Sequence, residues 1–138
     1  MNISARVENS AGRHQVTLRT GGNVQDLSIP PRSTGFGSSV NGGELLFLAL
    51  ATCYCNDVYR EAAKRGLNVE RVEVEVEGEF GAEGEPARNV TYRVRVAAQG
   101  SEAEVQELLR HTDRVAEIQN TLRAGTAVTL GRIEVVGI

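Results

Sequence analysis

The stretch Asn41 to Gly66, NGGELLFLALATCYCNDVYREAAKRG, limits what this chain can fold into more than any other part of it. It is predicted to be one long helix. Asn41 is a good N-cap and Glu44 stands three residues later, so the Glu44 side chain can reach back to the Asn41 amide as a capping box. At the far end Lys64 and Arg65 complement the helix dipole, and Gly66 is a stop. Leu45 to Ala51 is apolar on every side, and such a half-helix must be buried all round. A single small sheet covers only one side of it. The simplest cover for the other side is the same helix of a second subunit, so the chain is expected to be a homodimer.

The flanks read as sheet and shorter helices. Ile3, Ala5 and Val7 alternate with polar residues, then His14, Val16 and Leu18 do so, and a third run of Val24, Leu27 and Ile29 follows Gly21-Gly22, which marks a hairpin. Pro30-Pro31 ends that run, because neither residue can donate to a ladder. After the helix, Val72, Val74 and Val76 alternate with Glu73, Glu75 and Glu77, and Val90 to Val96 alternates with Arg93 and Arg95 on the other face. These two runs are predicted to pair antiparallel with acidic and basic outer faces opposed. Ser101 and Glu104 open a helix expected to end near His111. Ala116 to Leu122 reads as a short helix or turn, and Ala127 to Ile138 as a last strand. No internal repeat or second domain is visible, so residues 1–138 are read as one α+β domain.

Composition removes several classes of function. A net charge of −3 with no Lys/Arg cluster gives no nucleic-acid footprint. Aromatic residues at 4%, with no Trp, leave little for a base-stacking platform. The longest apolar run, Leu45 to Ala51, is far short of the roughly 20 residues a bilayer requires. No secretory pattern of basic start, apolar run and small-residue site is present, so a cytoplasmic protein with free thiols is expected.

Residues with chemistry to offer are few. His14 and His111 have no ligand spacing with each other or with the cysteines, so neither a metal nor a cofactor is expected. Cys53 and Cys55 are two residues apart, about 200° around a helix, and face nearly opposite ways. Each is either a small hydrophobe packed in the core or a reactive thiol.

The segment Gly43-Glu44-Leu45-Leu46 through Ala51-Thr52-Cys53 resembles the motif of the osmotically inducible protein C and organic hydroperoxide resistance (OsmC/Ohr) superfamily. The order of elements is similar too. The resemblance implies an intertwined homodimer of OsmC-like fold: three N-terminal strands, long central helix, two-strand hairpin, shorter helices and final strand. Its best-defined members are cysteine peroxidases that reduce organic hydroperoxides with the help of an arginine, a glutamate and a resolving cysteine. The resemblance therefore implies Cys53 as the peroxidatic thiol, Arg13 as the arginine that lowers its pKa and orients the peroxide, and Glu44 as the glutamate, with Cys55 a secondary thiol. It implies as partners a small peroxide or other electrophile and a thiol reductant.

Two departures stand out. Glu44 precedes Cys53 by nine residues where the peroxidase branch resembles a ten-residue spacing, which puts Glu44 and Cys53 about 180° apart and about 14 Å along a continuous helix. The segment Ala116 to Leu122, where the peroxidases carry their resolving cysteine, contains no cysteine. A sulfenic acid on Cys53 would then need an external thiol. The alternative is a non-catalytic dimer that binds a small apolar ligand, its cysteines serving as packing.

Overall fold

The computed structural model describes residues 1–137. The chain falls into two compact units, Met1–Leu46 and Phe47–Ile138. In the first, β1 (Ile3–Ser10), β2 (Arg13–Thr20) and β3 (Asn23–Asp26) form an antiparallel sheet in the order β1-β2-β3. Both turns depend on glycine, Gly12 at φ 72° and Gly21 at φ 57°, a region where side chains with a Cβ are strained. β3 stops at Asp26, before the prolines, so Leu27 and Ile29 lie beyond the ladder. Pro31 bridges Ser38, and the Gly37 N–H donates to Asn9 Oδ1 at 2.9 Å, which ties the following loop back to β1. The alternation in β1 produces the expected strand but not the expected half-burial: Ile3 and Val7 both stay exposed.

The long helix α1 runs from Gly42 to Lys64. Its start is the predicted capping box, with Glu44 N–H donating to Asn41 Oδ1 at 2.8 Å and Asn41 N–H to Glu44 Oε1 at 3.0 Å. Its end is a Schellman turn: Gly66 takes φ 67°, its N–H donates to the Ala63 carbonyl at 3.2 Å, and the Leu67 N–H donates to the Ala62 carbonyl at 3.0 Å. Within the chain itself, only Leu50 of the apolar half is buried, and Leu48 is 57% exposed.

In the second unit, β4 (Val69–Glu79) and β5 (Arg88–Ala98) form the predicted hairpin. Val74 faces Val94 and Val76 faces Tyr92 on one side, while Glu73 faces Arg95 and Glu75 faces Arg93 on the other. The core gathers Tyr54, Val58 and Ala62 of α1 with Leu108 and Ala116, and packs against Val72, Val74, Tyr92 and Val94 of the hairpin. Helix α2 (Glu102–Val115) has Ser101 as N-cap, its side chain accepting from Glu104 N–H. It outruns the expected end at His111 by a full turn, because Thr112 is buried with its hydroxyl on the Leu108 carbonyl at 2.8 Å and Asp113 is held by Tyr92 and Arg123. Helix α3 (Glu117–Arg123) follows where a short helix or turn was expected.

The last predicted element does not form. Residues 127–137 carry strand-like alternation but pair with no described strand, and Val128, Leu130 and Val135 are 98%, 81% and 87% exposed. A strand requires a ladder partner as well as a pattern, and the described chain offers none to this segment. Ile138, the end of the predicted strand, lies outside the described residues. Among the described residues no helix is long and apolar enough to cross a membrane.

Candidate functional site around Cys53

Helical geometry alone puts Cys53 and Asp57 on one face of α1, since residues four apart are neighbours. The turn at Ala116 then starts α3 so that Glu117 reaches the same spot. Cys53 Sγ lies 3.5 Å from Asp57 Oδ2 and 3.7 Å from Glu117 Oε2. The other oxygens of both carboxylates are taken by one guanidinium nitrogen, Arg60 Nη1, at 3.1 Å from Asp57 Oδ1 and 2.7 Å from Glu117 Oε1. Arg60 Nε also holds buried Glu61 at 2.8 Å, and Lys64 and His111 hold Glu61 at 3.0 and 2.9 Å. A ribbon of alternating charge thus runs from the thiol along α1 to α2.

The electrostatics follow from these neighbours. Burial pushes the Cys53 thiol up, aided by the negative charge of Asp57 and Glu117 and opposed by a hydrogen bond from the Ile118 backbone. Burial likewise raises Asp57, with Glu117 adding to the effect. Glu117 is held below its ordinary value by its own backbone N–H and by Arg60. Glu61, hydrogen-bonded first by Arg60 and then by Lys64 and His111, falls to about 2. The sulfur and one oxygen from each of Asp57 and Glu117 lie within 4.8 Å of one another. Arg60 already balances the carboxylates from their far side, and no metal is assigned here.

The residues proposed from sequence are distributed between the units. Cys53 is half-buried and packs against the core of the second unit. Cys55, also free, faces elsewhere, into an open cavity of about 240 Å³ with Ala51, Thr52, Asn56 and Val74. Arg13 opens β2 in the first unit, exposed and paired in register with Ser10. Glu44 belongs to the same unit and its carboxylate is engaged in capping α1. Sequence reasoning did not single out Asp57, Arg60 or Glu117. For Asp57 and Arg60 the signal was available, since they stand four and seven residues after Cys53 on the same helical face. Glu117, in contrast, is 64 residues from Cys53, and no local pattern reports its arrival.

Comparison with known proteins identifies this arrangement of elements. A family model described as OsmC-like protein matches residues 35–131. Among curated proteins no sequence match is found. Among solved structures, an OsmC-like protein from Mycoplasma pneumoniae superposes with a TM-score of 0.60 at 18% identity, covering 89% of each chain. An organic hydroperoxide resistance protein OsmC from Legionella pneumophila gives 0.55 at 20% identity, over 87% of this chain and 89% of that one. The organic hydroperoxide resistance protein OhrB of Bacillus subtilis gives 0.51 at 18% identity, over 87% and 90%. With more than two thirds of its length matched by the family model and the same α+β fold in these structures, the chain belongs to the OsmC-like protein family.

Proposed function

We propose that the protein is a homodimer in which Cys53 reduces organic hydroperoxides, an external thiol returning the oxidised sulfur to its resting state. The observation that carries this reading is the place of Cys53, a half-buried thiol on the central helix of an OsmC-like chain, beside Glu117 of the segment that resembles the resolving-cysteine region of peroxidases. Two similar structures are of proteins called organic hydroperoxide resistance proteins. Neither Cys55, across the helix, nor any residue of α3 supplies a second thiol to Cys53, so its sulfenic acid is resolved by a small dithiol or monothiol. In this reading Arg13 supplies the cation that favours the thiolate and orients the peroxide, Glu44 assists it, and the reducing cytoplasm keeps both cysteines free.

Dimerisation is supported by apolar surface that the single chain leaves open. Leu48 on α1, Ile3 and Val7 on β1, and Val128, Leu130 and Val135 near the end of the chain are all more than half exposed. Apolar surface of this kind is what a second subunit would cover.

A second reading is favoured by a specific observation: the charged groups within reach of Cys53 Sγ are carboxylates, which oppose thiolate formation. On that reading the dimer binds a small apolar ligand and the cysteines are packing. Incubation with tert-butyl hydroperoxide and dithiothreitol separates the two. Peroxide consumption with Cys53 sulfenylation, abolished by Cys53→Ser and weakened by Arg13→Ala, supports the peroxidase. An unmodified Cys53 and no turnover leave the ligand-binding reading in place.

A further inference from the structure

We propose that Asp57 and Glu117 are the proton-handling pair of the Cys53 site, accepting the thiol proton as sulfur attacks a hydroperoxide and giving a proton to the departing alkoxide. This rests on Cys53 being the peroxide-reactive thiol. Its basis is convergence: Sγ has Asp57 Oδ2 at 3.5 Å and Glu117 Oε2 at 3.7 Å, contributed by two different helices. Arg60 makes the convergence possible. By engaging Asp57 Oδ1 at 3.1 Å and Glu117 Oε1 at 2.7 Å with one nitrogen, it turns both carboxyls so that their remaining oxygens face the sulfur.

Charge decides how such a site works. Two carboxylates against a thiol disfavour a preformed thiolate, the usual state of a reactive cysteine, and in this scheme Arg13 is left with orienting the peroxide alone. They favour attack concerted with proton loss to a neighbouring base, as hydroxyl nucleophiles use. Burial and the approach of Glu117 raise the proton affinity of Asp57, which improves it as that base. The charged groups facing the pair are Arg60 from α1 and, one step further out, Glu61 with its partners Lys64 and His111 of α2.

The step balances. Sγ forms a bond to the terminal oxygen of R–O–OH, the O–O bond breaks, and its electron pair leaves on RO⁻. The thiol proton passes to Asp57, and the pair returns one proton to RO⁻. The products are Cys53 sulfenic acid and ROH, with sulfur oxidised by two electrons and the peroxide reduced by two. Negative charge at the sulfur also selects the substrate class, uncharged hydroperoxides over anionic oxidants.

The test uses the intact protein. The rate of Cys53 sulfenylation by tert-butyl hydroperoxide, trapped with dimedone and read by mass spectrometry, is measured from about pH 5 to about pH 9, where acid–base roles show in the profile. Wild type is compared with Asp57→Asn and with Glu117→Gln, whose side chain is 60% exposed and tolerates substitution. The thiol pKa is followed in parallel by ultraviolet absorbance. Because both carboxylates push the Cys53 thiol up, removing either should lower its pKa, so the two possibilities move the rate in opposite directions. Proton handling predicts a rate at neutral pH about 10- to 100-fold lower, with an altered pH profile despite the lower thiol pKa. Rates that are unchanged, or that rise with the falling pKa, overturn the proposal while leaving the peroxidase reading intact. A wild-type Cys53 that iodoacetamide alkylates but peroxide does not oxidise overturns both.

Discussion

At the residue scale, the polar side-chain atoms buried with the core are matched to partners, with the exception among the described residues of Gln119 Oε1. Tyr54 is almost fully buried, its ring edge-on to Tyr92 at 4.9 Å and its hydroxyl donating to the Leu109 carbonyl at 2.8 Å. Tyr54→Phe keeps the ring and removes the bond, so it should cost about 1 kcal/mol, a drop of a few degrees in Tm by calorimetry. Burial, reinforced by Asp113, pushes the Tyr54 phenol up to about 12. Because the unfolded phenol ionises near pH 10, this contribution to stability is complete below about pH 10 and is lost as pH rises toward the folded value. The alkaline fall in Tm should therefore be shallower in the Phe variant. Glu61 works in the opposite direction. Its carboxyl, lowered to about 2 chiefly by Arg60, contributes stability that is complete above the unfolded value of about 4.3 and is lost as pH falls through that interval. The Tm difference between wild type and Glu61→Gln should shrink steadily from about pH 5 to about pH 2.

At the element scale, the sequence carried most of what local rules can carry. The capping box at Asn41 and Glu44, the stop at Gly66 and the valine ladder of β4–β5 all rest on contacts within a few residues or on strict alternation, and all are present. The Gly66 stop is testable alone: a Cβ there meets nothing within 4 Å, so Gly66→Ala suffers only its positive φ. It should lower stability by about 1 kcal/mol in urea titration without changing m. What the sequence hid depended on partners. Thr112 and Asp113 look like the fraying of α2 until Leu108, Tyr92 and Arg123 are seen to hold them. The run after Ala127 shows which residues would share a face of a strand, but alternation does not say which edge receives it. Glu117 reached the Cys53 site through the turn at Ala116, and that turn has no side-chain cap to announce it. The thiol was legible, and so by helical spacing were Asp57 and Arg60 beside it, but Glu117 was not.

For the whole molecule, the arithmetic of exposed apolar residues bears on assembly. Leu48 lies on the part of α1 whose composition calls for burial on all sides, yet 57% of it is open in the single chain. Leu48→Glu should convert a dimer into a monomer in size-exclusion chromatography with light scattering, and should make Tm independent of protein concentration where wild type shows a dependence. A wild-type monomer at micromolar concentration removes the dimer from the proposed function.

The β4–β5 hairpin also bears on how far this sequence can drift. Its inner positions, Val72, Val74, Tyr92 and Val94, are held by a shared core, whereas Glu73, Glu75, Arg93 and Arg95 need only complement one another in water. A surface ion pair such as Arg93 with Glu75 at 2.7 Å is worth at most about 1 kcal/mol, so half of the positions along each strand are nearly free to change. Descendants can therefore replace every outward residue of the ladder and retain its register, because the register is written in the other half. Identities of 18 to 20% alongside a common fold are what such a division of labour permits.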